Sequence, residues 1–237
     1  MPRPFPSLKN FVSYLIKTQV KGEETMEKKF SVHIDSWSHG AAIPARFAFG
    51  QPGTDSPFAP SDNISPAIRW SNAPAGTRSF AIICHDPDVP SSGEDVNQQG
   101  KVVPADLPRV NFFHWVLVDI SADVSGLDEG AASQGITPRG KSVGRTQYGV
   151  TGKNDYTGWF AGDPEMEGTY GGYDGPCPPW NDSIVHHYHF EVFALDVETL
   201  GLQGEFTGQD ALEAMEGHIL ASTSHMGTYS MNPALDG

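Results

Sequence analysis

Apolar positions in this chain gather in short blocks that are either continuous or alternate with period two, the pattern of strands rather than helices. Residues 79–84 form one continuous apolar run, and 113–120 form another, with His114 near its start. Over 185–195 the pattern alternates. An extended backbone there places His186, Tyr188 and Phe190 on one face and His187, His189 and Glu191 on the other. The same reading predicts strands over 45–49, 67–70, 79–85, 113–120 and 185–195, with a last one around 221–229. Helical spacing emerges in one place. Thr207 precedes Asp210 by three in a capping-box pattern, and Ala211, Leu212, Met215 and Ile219 follow at helical intervals. Gly217 weakens that helix by about 1 kcal/mol. Long connections cover 91–110 and 141–174, and Trp159, Phe160, Tyr170 and Tyr173 predict that the second is packed.

Many strands and few helices predict an all-β chain, a β-sandwich with Greek-key connections. Composition agrees: 26 Gly and 19 Pro among 237 residues supply the turns such a fold needs. Hydrophobic residues make up 38% and charged residues 19%, which excludes a disordered chain. A net charge of −14 opposes binding to nucleic acid and to anionic lipid surfaces. It leaves room for a local anion site built from neutral donors and histidines, of which there are nine. No apolar run reaches the roughly 20 residues of a membrane span, so the chain is not expected to be membrane-embedded. Cys84 and Cys177 are the only cysteines, and reduced thiols fit a cytoplasmic protein. Residues 1–25 hold one short apolar island at 11–16 among basic residues, and Met26 starts a segment that reads like an ordinary N-terminus. The expected organisation is a mobile extension over 1–25 and one domain over 26–237.

Candidate chemistry concentrates in three places. His85-Asp86-Pro87-Asp88-Val89-Pro90 follows the first apolar run. Two carboxylates two residues apart point the same way on an extended chain, held stiffly by prolines, unless the segment is a plain strand-ending turn. His114 is either a satisfied core residue or a pocket residue. Gly175-Pro176-Cys177-Pro178-Pro179-Trp180 precedes the His-rich strand. It reads either as a surface turn or as a rigid pocket wall, with backbone N–H groups of 172–175 free to meet phosphate oxygens.

These three segments, in this order, resemble the phosphatidylethanolamine-binding family, also called Raf-kinase-inhibitor-like proteins, and most closely its bacterial branch. Asn63-Ile64-Ser65-Pro66-Ala67-Ile68-Arg69-Trp70, Ala75-Gly76-Thr77-Arg78-Ser79-Phe80, His218-Ile219-Leu220-Ala221 and Gly227-Thr228-Tyr229 extend the likeness over about 47–229. The resemblance implies a large antiparallel sheet packed on a smaller one, with peripheral helices. It implies a small anion pocket lined by Asp86, His114, Gly175, Pro176, His186 and Tyr188, supported by Asp88, Phe112, Pro178 and His187. His187 stands where the family has Arg, which unsettles the salt bridge that Arg would make to Asp88.

The expected function is non-enzymatic binding of phosphate, sulfate or a phosphoethanolamine-like headgroup, with no cofactor. His114 and His186 would donate to the anion, Tyr188 would offer a hydroxyl, and Asp86 would orient them or meet an ammonium. One alternative is a regulatory protein that inhibits a kinase or protease by surface contact. Another is a phosphoesterase using metal or a His/Asp pair. No HExxH sequence is present, and a zinc site would have to draw on His85, His114 and His186.

Overall fold

The structure, a computed structural model, describes residues 28–235. The expectations for 1–25 lie outside the described residues. The strands are β1 Ser31–His33, β2 Gly50–Gln51, β3 Ala59–Pro60, β4 Ile68–Ser71, β5 Ser79–Pro90, β6 Arg109–Ser121 and β7 Gly126–Leu127. They continue with β8 Gly140–Lys141, β9 Gly144–Arg145, β10 Val150–Thr151, β11 Thr169–Tyr170, β12 His186–Leu195 and β13 Ile219–Tyr229. Two helices, α1 Tyr156–Trp159 and α2 Gly208–Met215, lie between them. A six-stranded antiparallel sheet of order β13-β12-β5-β6-β10-β9 faces a three-stranded antiparallel sheet of order β1-β4-β7.

Burial explains why the central strands read as continuous apolar runs. Phe80, Ile82 and Cys84 of β5 point between the sheets, where they meet Ile68 and Trp70 of β4 and Phe190 and Val192 of β12. Ala81 and Ile83 point the other way, onto Val116, Val118 and Phe193 and under α2 through Ala211 and Met215. A strand covered on both faces loses its polar alternation.

Two expected elements differ. Residues 45–49 begin as a 3₁₀ turn, Ala45–Phe47, not a strand. The helix stops at Met215, because Gly217 turns the backbone to φ +79° and Ile219 opens β13. The capping box itself forms: Thr207 Oγ1 accepts from the Asp210 N–H at 3.1 Å, and Asp210 Oδ2 accepts from the Thr207 N–H at 2.8 Å. Thr207→Ala should lower stability by about 1 kcal/mol, read by chemical denaturation. An unchanged midpoint would mean that α2 is held by its packing alone.

Candidate functional site

The site sits where β5 and β12 part. Their ladder ends at His85↔His189, and Pro87, just beyond, brings no N–H to extend it. Side chains join the strands instead. Asp86 Oδ2 accepts from His186 Nδ1 at 2.7 Å, and Asp88 Oδ2 accepts from the His187 backbone N–H at 2.9 Å and from its Nδ1 at 2.8 Å. His187 thus pairs with Asp88 without an Arg. The two carboxylates do not share a face, contrary to the sequence reading. A bulge between Asp86 and Val89 adds a residue to β5, so Asp86 meets buried His186 while Asp88 meets half-exposed His187.

A second bulge places His114. Cys84 and His85 pair with Trp115 and Phe113, which leaves His114 as the extra residue of β6. Its ring enters a cavity of about 220 Å³ beside Tyr188, centroids 5.2 Å apart. Nδ1 lies 2.8 Å from the Asp174 carbonyl, which can only accept, so Nδ1 carries the proton. Nε2 has no protein partner among the described residues. Burial lowers the His114 pKa, against a partial opposing pull from Asp86. The imidazole is therefore neutral at pH 7, with a bare Nε2 lone pair.

His186 is the opposite case. Besides Asp86 it reaches Asp182, Nε2 to Oδ2 3.1 Å, and Asp182 is held by both terminal nitrogens of Arg109 at 2.6 and 3.0 Å. Burial alone would lower its pKa, but hydrogen bonds to Asp182 and Asp86 outweigh that and push it up to about 9. His186 is a cation at neutral pH, yet both its N–H groups are committed to carboxylates. It has none left for an anion, which revises the direct donor role expected for it. Asp182 and Arg109 gave no signal in sequence, since they lie 73 positions apart.

The loop after Tyr173 also differs from expectation. Its N–H groups are used inside the protein: Gly172 donates to Thr151 Oγ1, Tyr173 to the Ala132 carbonyl, Asp174 to the His114 carbonyl and Gly175 to Asn63 Oδ1. None is left for phosphate. Gly175 and Pro176 do not line the cavity. They form its backing, where a Cβ on Gly175 would come within 2.0 Å of the Phe47 carbonyl oxygen. Cys177, Pro178 and Pro179 make the wall. Burial pushes the Cys177 thiol up to about 12, so it is no thiolate at neutral pH.

Most of the remaining wall is aromatic: Phe49, Phe58, Phe112, Tyr156, Trp159 and Phe160. Of these the sequence reading placed only Phe112. Trp159 and Phe160 signalled a packed 141–174 segment, and Tyr170 and Tyr173 within it are fully buried. Burial, then the nearby Asp86, raises Tyr188 well above 10, so its hydroxyl keeps its proton. His85 does not join His114 and His186. It is paired with Asn111 at 2.6 Å and stacked on His189. Among the described residues, no three His, Cys, Asp or Glu side chains are placed to hold a metal ion, and no helix is long and apolar enough to cross a membrane.

The family model for phosphatidylethanolamine-binding protein matches residues 33–230. The UPF0098 protein of Methanothermobacter thermautotrophicus is 37% identical over 168 residues, 71% of this chain and 83% of that protein. The UPF0098 protein YbhB of Escherichia coli is 31% identical over 192 residues, 81% of this chain and 94% of that one. Among solved structures, Chlamydia trachomatis CT736, described as a putative phosphatidylethanolamine-binding protein homolog, superposes with a TM-score of 0.56 at 27% identity, over 85% of this chain and 97% of that one. Escherichia coli YbcL, described as a member of the mammalian PEBP family, superposes at 0.61 with 24% identity, over 86% and 99%, and supports the fold alone.

Proposed function

The chain belongs to the phosphatidylethanolamine-binding protein family, and from that premise we propose that it is a non-enzymatic binding protein whose cavity takes a small phosphoryl or other anionic headgroup. The observation that carries this reading is His114 Nε2, the one cavity imidazole nitrogen without a protein partner among the described residues. Protonated, it becomes a charged donor; Tyr188 adds a hydroxyl donor that does not titrate near neutrality. The His186 cation supplies positive charge at fixed position and holds Asp86 in place. A phosphoethanolamine-like headgroup suits this lining, its phosphoryl group at His114 and its ammonium at Asp86 and the aromatic faces. Cytoplasmic location belongs to the same proposal, supported by two free thiols.

Calorimetric titration of phosphate and phosphoethanolamine tests the assignment. His114→Ala should weaken both by about 10-fold or more, since a charge-assisted hydrogen bond is worth about 1.5–3 kcal/mol. Asp86→Asn should weaken phosphoethanolamine more than phosphate. Unchanged affinity in His114→Ala would sink the pocket assignment. Purified protein should not turn over phosphate esters: the cavity's thiol and phenol, Cys177 and Tyr188, both hold their protons. Sustained hydrolysis that vanishes in Asp86→Asn would favour an esterase instead.

A further inference from the structure

Strand β12 turns His186 and Tyr188 inward to the cavity, and its outer face carries His187, His189 and Glu191. On that outer side α2 covers one end of the large sheet, over Ala81, Ile83, Val116 and Phe193. At the other end a row of side chains crosses the strands. Register sets Met226 of β13 opposite His189, and His189 opposite His85 of β5. Residues placed this way share one face, with Cβ atoms about 4.5–5.5 Å apart. All three are partly exposed, so solvent and small ions reach them.

The two imidazoles have the form of neutral metal ligands. His85 Nδ1 lies 2.6 Å from Asn111 Oδ1, an amide oxygen that can only accept, so Nδ1 carries the proton and Nε2 a lone pair. Tying one ring N–H to an oxygen is how metal-binding histidines are oriented. Neither ring nitrogen of His189 has a hydrogen-bond partner among the described residues. Burial, then the neighbouring His85, lowers its pKa, so it is neutral at pH 7. The ring centroids stand 5.3 Å apart. Two imidazoles that share one metal, with N–metal distances of about 2.0–2.1 Å, have centroids about 5–6 Å apart. The spacing is thus already present. The ring planes, 22° apart, require a turn of His189 to aim both nitrogens at one point, and no hydrogen bond opposes that turn.

We propose that this outer face binds copper(I) through His85 Nε2, a ring nitrogen of His189 and the thioether of Met226, at a site separate from the His114 cavity on the opposite side of the same strands. Ligand softness selects the metal. Imidazole accepts zinc, copper, nickel and iron, but a thioether narrows the choice to a soft ion. Three neutral ligands match a monovalent charge. Glu191 and Asp88, whose charges both act on His189, favour a cation on this face over an anion. Two imidazoles and a thioether need no third His, Cys, Asp or Glu, so the site is compatible with the lack of such a triad among the described residues.

Competition with the chromophoric chelator bicinchoninate, without oxygen and with ascorbate present, measures copper(I) affinity on the full chain. His189→Ala should weaken it by about 100-fold or more, since losing a partner that only orients a ligand already costs about 10–100-fold. Asn111→Ala, which releases the His85 ring, should cost about 10-fold. Met226→Leu conserves volume and should weaken copper(I) while leaving zinc affinity, measured in a parallel titration, unchanged. The Met226 methyl peak, the one lost from a ¹H–¹³C spectrum in Met226→Leu, should shift with copper(I) and stay in place with zinc. Cys177→Ser, which removes the less buried of the two thiols, should leave copper(I) affinity as it was. Phosphate should titrate the His114 cavity equally in wild type, His189→Ala and Met226→Leu. Copper(I) affinity unaltered in His189→Ala, a Met226 methyl peak that copper(I) leaves in place, or binding lost in Cys177→Ser would each overturn the proposal.

Discussion

Asp182→Asn is expected to lower folding stability by about 3 kcal/mol. Asp182 is 1% exposed and lies between two cations, Arg109 and His186. Its own pKa is held below the usual carboxylate range: burial pushes it up, but hydrogen bonds to His186 and Arg109 outweigh that. Removing one member of a buried ionic group leaves its partners without compensation, a loss of about 3–5 kcal/mol. An amide in that place keeps one acceptor and adds an NH₂ that faces two donors.

The same substitution changes how stability depends on pH, and the sign follows from His186. Its folded pKa is raised to about 9, from an unfolded value near 6.5. That stabilisation is fully present below about pH 6.5 and is lost as pH rises towards 9, by about 2 kcal/mol between pH 6 and 8. Other groups titrate in this range. His114, His189 and His225 are lowered by burial and give the opposite slope at the acidic end. The thiols of Cys84 and Cys177 are raised by burial and add a fall above about pH 8.5. These contributions are common to wild type and variant, so the difference between the two reports His186. The stability gap should be widest near pH 6 and should narrow by about 1–2 kcal/mol by pH 8, with Asp86 still holding part of the shift. Urea denaturation under reducing conditions at both pH values measures it. A gap that stays constant across the window would mean that His186 is not the cation assigned here.

That buried charge network marks the limit of what the sequence conveys. The alternation of His186, Tyr188 and Phe190 was legible because strand periodicity is local, and all three do point inward. The run from Phe80 to Cys84 was legible because a strand buried on both faces has to be apolar throughout. The capping box at Thr207 needs only three residues of context. The two bulges are different in kind. That β6 carries an extra residue at His114, and β5 one between Asp86 and Val89, depends on the register between the two strands, which no local pattern of either determines. Asp182 and Arg109 likewise acquire meaning only when the 104–109 turn is brought against the start of β12. Gly175 looked like a ligand loop because glycine allows close approach. The approach is real, but it is made by the Phe47 carbonyl.

The bulge at His114 sets up the second large effect, a steep pH dependence of anion binding. With Nδ1–H donating to the Asp174 carbonyl, neutral His114 presents a lone pair to the cavity, and an anion oxygen there is repelled. Only the imidazolium has an Nε2–H to give. Anion binding should therefore take up close to one proton at pH 7, and affinity should rise by up to about 10-fold per pH unit as pH falls. Because burial lowers the His114 pKa, the rise should continue below pH 6.5 and level off only at the free-protein value. The charge on His186 is constant below about pH 8 and does not contribute. Sulfate is the probe to use, since its own charge is fixed over this range while phosphate titrates within it. Calorimetry in two buffers of different ionisation enthalpy counts the proton directly. His114→Ala should bind weakly and without pH dependence. His114→Gln, whose amide N–H is a donor at every pH, should recover part of the affinity and keep the flat profile. A wild-type profile that is flat, or that keeps its slope in His114→Ala, would transfer the anion to other donors and leave His114 as a core residue.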